Sequence, residues 1–109
     1  NALRESRKVS NHYLRSLALS FISIAQHRVG LLKGTLATIV LAEKSARKAS
    51  FPSKIVALAF LSTAQAKTEQ IHSARNTIHE TASMLFHVKQ PYYRALAYAF
   101  LAQAVFIGR

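Results

Sequence analysis

One apolar phrase occurs three times in this chain: "LALSFISIAQH" from Leu17, "VALAFLSTAQA" from Val56 and "RALAYAFLAQA" from Arg94. The copies start at a nearly even interval of roughly 39 residues, a spacing typical of repeat architectures. Four positions agree in all of them: Ala18/Ala57/Ala95, Leu19/Leu58/Leu96, Ala25/Ala64/Ala102 and Gln26/Gln65/Gln103. Their spacings of one, seven and eight put them on one side of a 3.6-residue helix. The blocks between the phrases also correspond, with Thr38/Thr77 and Ile39/Ile78 at the same offset. A unit of this length cannot bury its own apolar face, so its recurrence points to helices stacked in an array.

The punctuation agrees with helices. Pro52 and Pro91 stand where one helix must stop and the next begin, because proline has no N–H and restricts the residue before it. Gly30 marks the break inside the first hairpin. Helices are predicted over about 11–28, 31–49, 53–67, 70–87 and 91–107, with a helical fragment over about 2–9. Ser10 or Asn11, Ser53 and Gln90 are the expected N-caps. The fold class is all-α: antiparallel hairpins stacked as a short α-solenoid in one domain, residues 1–109. Its units are 11–50 and 53–90, with a half unit over 91–109, and 1–9 is the tail of a preceding helix.

With these positions in frame, the chain resembles the tetratricopeptide class of α-solenoid. Taking Gly30 as the inter-helix glycine puts Leu19 and Ile22 at the two large apolar positions of the A helix. Ser23 then takes its small position, and Ala42 the small B-helix one. The next unit offers Leu58, Leu61, Ser62 and Thr81, with Ala74 where the first has Thr35. The chain departs from that family in its longer period, in Gln26 and Gln65 where an aromatic is expected, and in Phe100 at a small position. The resemblance implies a binding scaffold without catalysis.

Charge narrows the partners. Fifteen Lys and Arg stand against four Glu and no Asp, a formal net charge of +11. Such an excess favours anionic partners: acidic protein surfaces, nucleic acid or lipid headgroups. In the repeat frame the cations fall into register. Arg15, Lys54 and Arg94 open successive A helices, Arg28 and Lys67 close them, and Lys8 and Arg47 close B helices. Stacking turns each set into a column, and these seven residues are the expected partner-binding set. Cations at helix C-termini also complement the helix dipole without a ligand, whereas those near N-termini do not.

The remaining chemistry is sparse. Without Cys there is no disulfide or thiolate site, and the compartment is unread, with the cytoplasm as the default. No apolar leader opens the sequence. "EQIH", Glu69 to His72, has the Glu-x-x-His spacing of helical di-iron proteins, but those need a second such motif and more carboxylates. Without Asp, a Ser–His–Asp triad cannot form. No enzyme activity, cofactor or metal is expected.

Tyr93, Tyr98, Phe100 and Phe106 crowd the last helix at helical spacing among alanines, which points to an apolar interface. The chain opens in what corresponds to a B helix and closes after an apolar A helix. It is therefore expected to belong to a longer array, or to cover its end faces with a partner or a second copy, rather than stand as a closed monomer. The functional expectation is a non-catalytic protein-interaction module for an acidic partner segment. Non-specific nucleic-acid binding is the alternative, and membrane attachment is not expected.

Overall fold

The computed structural model describes residues 11–108, so the fragment expected over 2–9, and Lys8 with it, lie outside the described residues. Five helices follow one another: α1 (His12–Arg28), α2 (Leu32–Lys48), α3 (Ser53–Lys67), α4 (Ile71–Met84) and α5 (Pro91–Ile107). A 3-10 turn, Leu85–His87, follows α4, and no strand occurs among the described residues. The fourth helix thus stops short of the expected boundary. Leu85 and Val88 are buried against α5, and tightening the last turn carries them there.

Asn11 caps α1, its Oδ1 accepting from the Leu14 N–H at 3.2 Å. The other two expected caps are not formed. Ser53 is the first residue of α3, preceded by Pro52 with no side-chain cap. Gln90 precedes α5 with an extended backbone but caps nothing, and Pro91 at the first turn removes an N–H that would otherwise need a partner.

Both hairpin turns are built alike. After α1, Gly30 takes φ +84°, its N–H donating to the His27 carbonyl at 3.1 Å while Leu31 N–H donates to Gln26 at 2.9 Å. After α3, Glu69 takes φ +67°, donating to Ala66 at 3.1 Å while Gln70 donates to Gln65 at 2.8 Å. This pair of bonds closes a helix through a left-handed residue, a position glycine occupies without strain and glutamate does not.

α3 is the hub. It packs against α1, α2, α4 and α5, while α1 also pairs with α2 and α4 with α5. Every residue from Ile55 to Ala66 is buried. The cause is legible in the chain: no charge occurs between Lys54 and Lys67, and a helix apolar all round is a buried one. Leu19, Ile39, Ala42, Leu58 and Leu61 form one core between α1, α2 and α3. Ile55, Ala59, Val88, Ala97 and Leu101 form a second toward α5. The result is a slab of 37 × 34 × 17 Å.

Small hydroxyl side chains let these helices approach. Ser23 and Ser62 donate back to Ser20 and Ala59 carbonyls at 2.7 and 2.6 Å, so both are buried without an orphaned hydroxyl. Two more hydroxyls cross between helices: Ser16 donates to the Ala42 carbonyl at 3.0 Å and Thr63 to that of Phe100 at 2.8 Å. The phrase positions do not share one environment throughout. Leu19 and Leu58 are in one core, but Leu96 is only half-buried, and Ala95, Ala102 and Gln103 are exposed. α5 instead turns Ala97, Leu101 and Ala104 inward.

Candidate functional site

Two of the three described glutamates, Glu43 and Glu80, are held by one arginine. Arg47 donates from Nη1 and Nη2 to the two carboxylate oxygens of Glu80, at 2.6 and 2.9 Å, and from Nε to Glu43 at 3.0 Å. These hydrogen bonds, donated by Arg47 and accepted by Glu80, push the Arg47 pKa up and pull the Glu80 pKa below its ordinary value, outweighing the opposing effect of burial. Glu69 lies 3.6 Å from the His27 ring through Nε2. Arg47, expected at a partner surface, is thus held by two internal carboxylates.

The other expected cations divide. Arg15 is half-buried, with its Nε enclosed and without a hydrogen-bond partner. Lys54 is half-buried, and its charge helps to lower the Glu80 pKa. Arg94 is exposed, its guanidinium carbon 5.9 Å from the centre of the Tyr98 ring. These three sit in different surroundings. Arg28 and Lys67, by contrast, flank a single cleft of about 430 Å³.

That cleft is made by the C-terminal halves of α1 and α3. Phe21, Ile24, Ala25 and Val29 supply an apolar floor. Arg28 in the last turn of α1 and Lys67 in the last turn of α3 stand where the negative ends of both helix dipoles favour a cation. Phe21 is 63% exposed although its ring rests on Phe60, 4.7 Å between centroids at 51°. Phe60 in turn meets Phe100 at 4.9 Å and 55°. Tilted rings at this separation attract through edge and face.

Sequence reasoning did not single out Phe21 or Phe60. The signal was present, since each is the fifth residue of its phrase. Of the expected apolar interface, Phe100 and Tyr93 pack on the core, whereas Tyr98 and Phe106 are 52% and 70% exposed.

Chemically the site offers an apolar surface edged by cations. Among the described residues no three of His, Cys, Asp or Glu stand together as metal ligands, and no helix is long and apolar enough to cross a membrane. Burial, and then the nearby phenols of Tyr92 and Tyr93, push the Tyr13 phenol up in pKa. No protein-family model, no curated protein and no solved structure matches the chain.

Proposed function

We propose that this chain is a non-catalytic helical-repeat module, a short α-solenoid with a period of about 39 residues, that docks an acidic, partly apolar segment of another protein. The observation that carries the reading is the cleft between α1 and α3. Arg28 and Lys67, at equivalent places in successive units, share it, its floor is apolar, and Glu43 and Glu80 are taken up by Arg47. A segment carrying an aspartate or glutamate beside a leucine or phenylalanine satisfies both halves of the cleft. The duplicate hairpin turns at Gly30 and Glu69 support the solenoid arrangement, as does the packing of α3 against both α1 and α5. Because α3 is buried from Ile55 to Ala66, the docking surface belongs to the flanks of α1 and the helix ends, not to an open groove along all A helices.

The test is fluorescence anisotropy with a labelled peptide of glutamates and leucines, against the same peptide with glutamine for glutamate. The acidic peptide is expected to bind and to weaken as salt rises. Exposed charge pairs contribute about 0.2–1 kcal/mol each, so Arg28→Gln with Lys67→Gln is expected to weaken it by about two- to thirtyfold. Equal binding of both peptides, or of the double variant, refutes the docking role of these cations. Retention of random single-stranded nucleic acid with the same salt dependence, unchanged in the double variant, would favour a non-specific basic scaffold instead.

A further inference from the structure

A second cleft lies between α4 and α5, with a volume of about 380 Å³. Its walls are Ile71, Ala74 and Ile78 from α4 and Ala104 and Val105 from α5. It exists where the contact between these helices is made by small side chains: Ala74 and Ala104 meet beside Ala66, with the half-buried Ile78 and Ile107 packed against them. The earlier hairpin shows the difference. Ile39 of α2 is sealed in the core at 4% exposure, while Ile78, its counterpart in the next unit, is half-buried and opens into the slot. Arg75 and His79, one helical turn apart, stand at its rim, both exposed. No described carboxylate pairs with Arg75.

We infer that this slot binds a small amphipathic anion: an unbranched alkyl carboxylate whose chain lies between α4 and α5 and whose head meets Arg75. Size and lining both favour it. Small-molecule sites between helices run from about 300 Å³ upward and are mostly apolar with a few convergent polar groups. The α4 wall runs along one helix face, from Ile71 past Ala74 to Ile78, which suits a linear chain rather than a planar ring system. Arg75 can grip a carboxylate through two parallel N–H donors, and the ring N–H of His79 adds a third. An uncharged chain would leave the guanidinium without its counter-charge, so the head group sets the selectivity. The slot shares no residue with the cleft at Arg28 and Lys67, and the inference stands independently of the docking reading.

The experiment is calorimetric titration of the full chain with dodecanoate below its micellar concentration, with dodecanol as the uncharged comparator. Saturable one-to-one binding is expected, about tenfold tighter than dodecanol. Arg75→Gln should lower dodecanoate affinity by about tenfold and leave dodecanol unchanged. Lys44→Gln, which removes an equal charge from an exposed site on α2, should leave both unchanged. Ala104→Leu and, independently, Val105→Phe fill the slot from α5 and should abolish binding, with helical circular dichroism reporting that each variant is folded. Val105 is half-exposed, so its replacement does not depend on the tight Ala74–Ala104 contact. The inference is overturned by heat that never saturates, by a folded filled variant that binds like the wild type, or by Arg75→Gln and Lys44→Gln having the same effect.

Discussion

Arg47 of α2 holds Glu80 of α4 through two parallel hydrogen bonds, joining helices from different hairpins. Both side chains are about two-fifths exposed, which limits the pair to about 0.5–1 kcal/mol, near the upper end for surface ion pairs because the geometry is bidentate. A double-mutant cycle with Arg47→Met and Glu80→Gln, read by urea unfolding, is expected to return a coupling energy of that size. The pH dependence follows from the lowered Glu80 pKa. The contribution is complete above the ordinary glutamate value of 4.5 and is lost as pH falls through the depressed folded value. Glu80→Gln should therefore flatten the acid limb of the stability profile; an unchanged limb would assign that limb to other groups.

The two left-handed turn residues predict opposite responses. A Cβ at Gly30 would meet nothing within 4 Å, so Gly30→Ala costs only backbone strain, about 1 kcal/mol. Glu69→Gly removes the same strain and gives up only a weak contact with His27. It should raise the melting temperature while Gly30→Ala lowers it. Thermal unfolding of the two variants side by side measures this, and a drop in both would mean that the Glu69 side chain contributes more than its single ion pair.

Leu58 and Leu96 occupy the same place in the repeated phrase but not in the fold. Leu58 is fully buried, so Leu58→Ala should cost about 3 kcal/mol through lost transfer energy and a cavity. Leu96 is half-buried, and Leu96→Ala should cost about 1 kcal/mol. Denaturant midpoints at constant slope check the pair. Equal losses would mean that a partner or a second copy covers α5 in solution.

The phenylalanine ladder separates stability from recognition. Phe60 is 6% exposed between two other rings, and Phe60→Ala should cost about 3–5 kcal/mol. Phe21, at the free end, should cost about 1 kcal/mol on truncation, yet weaken the acidic peptide as much as loss of the flanking cations. Peptide binding that survives Phe21→Ala would remove the apolar floor from the docking account.

The parts of the fold that depend on local sequence were readable. Proline positions and apolar spacing put α3 and α5 at their observed limits, and of the two cap residues the sequence offered for α1, Ser10 and Asn11, Asn11 accepts the Leu14 N–H. What was not readable depends on neighbours. The repeated phrase suggests equal environments for its three copies, but α3 has helices on every side while α5 turns a different stripe inward, so Phe100 rather than Tyr98 joins the ring ladder. Charge register likewise brought Arg28 and Lys67 to one cleft but did not reveal that Arg47 meets Glu80, a pairing that no helical spacing encodes. The second left-handed turn was hidden because it carries glutamate instead of glycine.

Since four helices lean on α3, no peripheral helix can be peeled away without wetting part of the centre. Amide protons of α3 are thus expected to exchange only when the whole molecule opens, even though each hairpin on its own is too small to persist. A chain that repeats one phrase in its sequence would then behave, under denaturant or force, as one indivisible body.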